Sequence, residues 1–104
     1  MILEIAEVHV TPGSESAFIA AVTAGQHLFM QTPGYLRHQL QQSIEEPTRF
    51  MLLIEWETIE SHTVGFRESE RFPQWREYIS PHFAKAPLVQ HFELRLSNTA
   101  LGGA

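Results

Sequence analysis

The chain has 104 residues, which suits one domain, with 43% hydrophobic and 18% charged residues, a formal net charge of −5 and no cysteine. Seven Lys and Arg in an acidic chain do not make the basic face that nucleic acid or an anionic membrane demands, and the lack of cysteine excludes disulfides, thiolate metal sites and a cysteine nucleophile. No apolar run reaches the length of a membrane span, and the opening MILEIAEVHV lacks the basic segment of a signal peptide, so the expected compartment is the cytoplasm.

Residues 2–10 place apolar side chains on both parities, as a strand does when both faces are at least partly covered. TPGS then breaks the strand, and Ser14 is a candidate N-cap with Glu15 beside the positive end of the helix dipole. Phe18, Ala21, Val22, Leu28 and Phe29 recur at three- and four-residue spacing, so residues 15–31 read as an amphipathic helix that ends at TPG. YLRHQLQQSI alternates, EEPT is a turn, and RFMLLIEWE is almost wholly apolar, which predicts a hairpin whose second strand is central. Thr58 is positioned to cap the next helix. Pro73 fits the first turn of a second helical piece better than the middle of one. LVQHFELRL is a last strand, and the tail at 97–104 reads as loose.

The order β-α-β-β-α-β predicts an α+β, ferredoxin-like domain over residues 1–96, with a four-stranded antiparallel sheet and two helices on one face. One helical layer leaves Leu3, Ile5, Met51 and Leu53 on the other face. A patch of that kind predicts a homodimer packed sheet on sheet.

The segments VTPGSESAF, TPGYL and PTRFMLLIEWETIESH, in this order and spacing, resemble the antibiotic biosynthesis monooxygenase (ABM) family, over about residues 2–96. The resemblance implies a dimeric α+β barrel with a pocket between helices and sheet. It also implies a family of mixed activities, including oxygenation of aromatic compounds by dioxygen without a cofactor, haem degradation and processing of small signal molecules. The haem-degrading branch uses an Asn on the first strand and a Trp and a His on the second helix. The corresponding positions here are Ala6, Gly65 and Arg76, so that site does not carry over.

Strand parity assigns side chains to the implied pocket: Ile2, Glu4, Ala6 and Val8; Leu36, His38 and Leu40; Phe50, Leu52, Ile54 and Trp56; Leu88, Gln90, Phe92 and Leu94. A one-residue bulge reverses any such assignment. Trp56 is either core filling or a flat wall for an aromatic ligand, with its indole N–H as an orienting donor. His38 on an apolar face is either a hydrogen-bonded core residue or a general base. Glu4 on the same side needs a partner, because an unpaired buried carboxylate is costly. His62 and Phe66 lie four apart and share a helix face directed at the sheet, while Arg67 reads as a solvated residue. Phe72, Trp75 and Ile79 read as core. The histidines, including His9, His82 and His91, form no ligand motif, so no metal, flavin or haem is expected.

Two functions follow. The first is a cofactor-independent monooxygenase acting on a small aromatic or enolisable compound and dioxygen. In it, His38 or His62 is the base, and Glu4, Trp56, Phe66 and Phe92 line the pocket. Carboxylates rank below histidine because an ordinary Glu is too weak a base for a phenol near neutral pH. The second is a small-molecule binding or sensing dimer, or an isomerase-like enzyme, on the same fold.

Overall fold

The alternating apolar segments build a four-stranded antiparallel sheet in the order β2-β3-β1-β4: β1 is Ile2–His9, β2 Tyr35–Gln42, β3 Arg49–Trp56 and β4 Leu88–Glu93. The computed structural model describes residues 1–100, so the predicted tail at 97–104 lies partly outside the described residues. No helix among the described residues is long and apolar enough to cross a membrane.

The helices cover one face, as expected for this α+β, ferredoxin-like arrangement; the second is in two pieces, as Pro73 suggests, and the first is divided too. The run at 15–31 forms α1, Glu15–Gly25, and α2, His27–Met30, joined through Gln26. Gly25 lies against the Tyr78 ring, where a Cβ would sit 2.9 Å from ring carbons, so the junction needs a residue without a side chain. Ser14 makes no side-chain cap. Instead the Glu15 carboxylate accepts from the Gly13 N–H at 2.9 Å. The second helix begins with a π-helical segment, Ser61–Phe66, and resumes after a turn as α3, Arg71–Ile79, with Pro73 in its first turn. Thr58 does cap: its Oγ1 accepts from the Ser61 N–H at 3.2 Å. Arg71 ties the layer together, donating to the Leu28 carbonyl and the buried Thr32 hydroxyl.

Register decides what faces the helices. On β1 and β3 the inward residues are those predicted: Glu4 opposite Ile54, Ala6 opposite Leu52 and Val8 opposite Phe50. With Phe18, Val22, Phe29, Trp56, Phe66, Trp75 and Ile79 they form the buried core. Two strands differ from expectation. In β2, Tyr35 pairs with Trp56 and Arg37 with Glu55, so Leu36 is an extra residue in a bulge. It stands 42% exposed while Tyr35 and His38 turn inward. In β4 the pairs Ala6–Val89 and Glu4–His91 put Val89 and His91 on the inner face, and Leu3–Phe92 puts Phe92 on the outer one. The sequence assignment took the more apolar parity of β4 as the inner one. Here the apolar residues Leu88 and Phe92 lie on the outer face and are 56% and 46% exposed.

Candidate active site

Glu4 is the third residue of a central strand, on the inner face, and is buried to 6% exposure. Its direct partners come from two other elements, and a third supports one of them. The Trp56 indole N–H, at the end of β3, donates to Glu4 Oε1 at 2.9 Å. His62 Nε2, from the π-helical segment, stands 3.4 Å from the same oxygen. On its other side, His62 Nδ1 meets His91 Nε2, on β4, at 2.8 Å. Among the described residues Glu4 Oε2 makes no hydrogen bond and is not sealed in, and Glu4 lines the adjoining cavity.

The π-helical turn places His62. The Arg67 N–H donates five residues back to the His62 carbonyl at 2.9 Å. This wider turn holds the His62 and Phe66 rings nearly parallel, at 28°, and both stack on Trp56. Such π-segments are frequent at functional sites.

Burial sets the protonation states. Removal from water pushes the Glu4 carboxyl from its ordinary 4.5 up to about 7, opposed by the Trp56 hydrogen bond and the Arg67 charge. Burial pulls His62 down to about 4, helped by the nearby His91 and Arg67 charges. His91 is lowered by burial and by the Arg67 charge. Near pH 6 the Glu4–His62 contact is therefore between two uncharged groups, although its geometry fits an ion pair.

The cavity beside Glu4 holds about 300 Å³ and is walled by Phe66, Phe72 and Trp75, with Arg67 and Arg76 among its lining. Both guanidinium groups stand over the Phe72 ring, at 5.7 and 5.9 Å from its centroid. Among the described residues neither has a carboxylate partner, whereas Arg37, Arg49 and Arg95 each do. The arrangement can hold a flat apolar molecule, present a carboxylate oxygen to it, and stabilise negative charge that develops there.

Of the residues expected from the sequence, Glu4, Trp56, His62 and Phe66 are brought together. His38 and Phe92 are not. His38 belongs to the edge strand β2, two strands from Glu4, where its Nε2–H donates to Gln26 Oε1 at 2.7 Å and its Nδ1 accepts from the Tyr35 hydroxyl at 2.6 Å. Its ring also stands edge-on to Phe29. Phe92 borders a larger hollow, about 650 Å³, on the opposite face of the sheet. Sequence reasoning missed His91, Arg67 and Arg76. The available signal for His91 was that it shares parity with Val89, opposite Glu4 and Ala6.

Comparison with known proteins agrees with this frame. The family model for antibiotic biosynthesis monooxygenase matches residues 1–78. The uncharacterized protein YczJ of Bacillus subtilis (strain 168) is 34% identical over 93 residues, spanning 89% of this chain and 98% of that one. A crystal structure from Bordetella bronchiseptica, described as an antibiotic biosynthesis monooxygenase, is 41% identical with a TM-score of 0.88, covering 91% of this chain and 97% of its own. The Streptomyces coelicolor monooxygenase from the gene ActVA-Orf6, solved with nanaomycin D, shares the fold at 20% identity and a TM-score of 0.83, over 94% of this chain and 90% of its own. The chain belongs to the antibiotic biosynthesis monooxygenase family.

Proposed function

We propose that this protein is a monooxygenase acting on a small aromatic or enolisable compound, with Glu4 as the general base. The observation that supports it is a buried carboxylate raised to about 7, with Oε2 free toward an aromatic-walled cavity. A base is most effective when its pKa lies near the working pH. Burial therefore reverses the ranking expected from sequence: Glu4 becomes the stronger base, and His62, at about 4, the weaker one.

The reaction balances without a redox cofactor. Glu4 Oε2 takes a proton from an activated CH2 of the substrate, and Arg67 stabilises the resulting carbanion. The carbanion is itself the reductant, giving its electrons to dioxygen to form a C–O bond and a peroxide anion. Glu4 returns the proton to the terminal peroxide oxygen. Loss of water from the hydroperoxide then leaves a carbonyl, so CH2 and O2 become C=O and H2O. Trp56, Phe66 and Phe72 orient the ring and keep water from the carbanion.

Oxygen uptake with a panel of anthrone-like and hydroquinone compounds tests the reading. Glu4→Gln is expected to lower turnover by on the order of a hundredfold or more, with His38→Ala close to the parent. A parent that consumes no oxygen with any compound overturns the oxygenase reading, and an unimpaired Glu4→Gln variant overturns the base.

The same reading includes a homodimer. Leu3, Leu53 and Phe92 border the hollow on the sheet face that carries no helix, and a second copy of that face supplies the apolar cover. Leu53→Glu is expected to yield monomer or unfolded chain in light scattering, because an unpaired buried charge is costly. A parent that is monomeric at micromolar concentration removes this part of the proposal.

A further inference from the structure

His91 lies on β4, beyond the residues 1–78 that the family model matches, and the base chemistry above makes no use of it. Yet it completes an unbroken line of polar contacts from the buried carboxylate outward: Glu4 Oε1 to His62 Nε2 at 3.4 Å, then His62 Nδ1 to His91 Nε2 at 2.8 Å. His91 is half-buried, on an edge strand, and among the described residues its Nδ1 makes no hydrogen bond and is not sealed in, so it is the open end of the line. Each member is supplied by a different element: β1, the π-helical segment and β4. We infer that Glu4, His62 and His91 form a proton relay that connects the base to solvent by way of β4.

The line has two self-consistent polarities. With Glu4 ionised, His62 carries its proton on Nε2 and donates to the carboxylate, and His91 donates its Nε2–H to His62 Nδ1. With the proton on Glu4 Oε1, that oxygen donates to His62 Nε2, His62 Nδ1–H donates to His91 Nε2, and His91 Nδ1–H faces outward. One outward passage converts the second state into the first and releases one proton: Glu4 gives to His62, His62 to His91, and His91 to water. The reverse passage restores it. His62 conveys the proton without holding charge, because burial and the charges of His91 and Arg67 disfavour its cation. The groups facing Glu4 are Trp56 from β3, His62, His91 from the neighbouring strand, and Arg67, which acts through its charge.

The relay rests on the oxygenase reading only for its use. Near neutral pH about half of the molecules hold Glu4 protonated, from its value of about 7. Substrate bound to those molecules is unreactive, and it also closes the cavity as a path for water. The histidine line lets Glu4 discharge with substrate in place.

The test has an arm that needs no substrate. In the full chain labelled with 15N, the two His62 ring nitrogens are expected to exchange protonated and unprotonated character across a midpoint at about pH 7, and the exchange is expected to vanish in Glu4→Gln. His62 held in one tautomer while the Glu4 carboxyl titrates would overturn the relay. The second arm is turnover in dilute buffer. His91→Ala is expected to lose rate and to recover it with added imidazole. A variant with the parent's rate at every buffer concentration also overturns the relay. If no compound supports oxygen uptake but the His62 exchange is present, the relay stands and the oxygenase reading falls.

Discussion

Replacing Glu4 with Gln removes the charge and keeps the shape, since an amide oxygen can still accept from Trp56. Its effect on stability follows from two opposed titrations. The folded protein holds the Glu4 proton up to about pH 7, whereas the unfolded chain releases it near 4.5, so stability falls as pH rises between those values. That loss is about 3 kcal/mol, at about 1.4 kcal/mol for each pH unit. His62 runs the other way. Its folded imidazole stays neutral down to about pH 4 while the unfolded one takes a proton near 6.5, so its contribution is complete above 6.5 and is lost as pH falls. Between pH 4.5 and 6.5 the two slopes cancel, and the parent is expected to show a flat profile there. Glu4→Gln exposes the His62 slope. Its stability should climb from about pH 4 to 6.5 and exceed the parent's at pH 8 by up to about 3 kcal/mol, with near equality below 4.5. Urea unfolding at fixed protein concentration, followed by tryptophan fluorescence across pH 4–8.5, reads this directly. A variant that gains nothing between pH 4.5 and 8 relative to the parent would show that ionising Glu4 carries no burial cost, and the base assignment would go with it.

Trp56→Phe removes a donor that lowers the Glu4 pKa, so the rise of kcat/KM with pH should move to a midpoint above about 7; an unmoved midpoint refutes the role of the indole. Gly34 sits at φ +95° with Ser61 against it, where a Cβ would lie 2.7 Å from Ser61 Cβ. Gly34→Ala should therefore cost about 1–3 kcal/mol in urea unfolding and disturb the π-helical turn that begins at Ser61. Gly25→Ala should also destabilise, although alanine favours helix, because its methyl meets the Tyr78 ring at 2.9 Å; a gain in stability would show that Tyr78 yields freely.

The sheet was legible because period-two alternation and the near-continuous apolar run of β3 leave little freedom in register. The inner residues of β1 and β3 follow from parity alone. The two strands that went astray are the edges. Leu36 shows why for β2: one extra residue at a bulge turned Tyr35 inward and displaced a leucine that parity had placed in the core. In β4 hydrophobicity favours the parity of Leu88 and Phe92, which the pairing with β1 turns to the outer face. The choice there depends on pairing with Glu4, which is a tertiary fact. The π-helical turn was likewise invisible, since SHTVGF reads equally well at α-helical spacing.

The base proposed here differs from the one that sequence favours for a related reason. From sequence, histidine wins because its ordinary pKa lies nearest neutrality and that of glutamate does not. That comparison holds in water, and the fold removes Glu4 and His62 from water together. Burial moves both toward their uncharged forms. For a carboxyl that is upward, to about 7, and for an imidazole it is downward, to about 4, so the two groups trade places as bases. The same burial explains why the pair needs Trp56 and His91. Once withdrawn from solvent, Glu4 Oε1 and His62 Nδ1 each need a hydrogen-bond partner, and the indole and the second imidazole supply them at 2.9 and 2.8 Å. With those bonds satisfied, Oε2 is the atom of the carboxyl that remains directed at the cavity, where a substrate proton would be taken. A carboxylate on a central strand under an aromatic stack thus costs the fold stability at high pH and gains basicity where the chemistry is proposed to occur, and the Glu4→Gln comparison measures both in one protein.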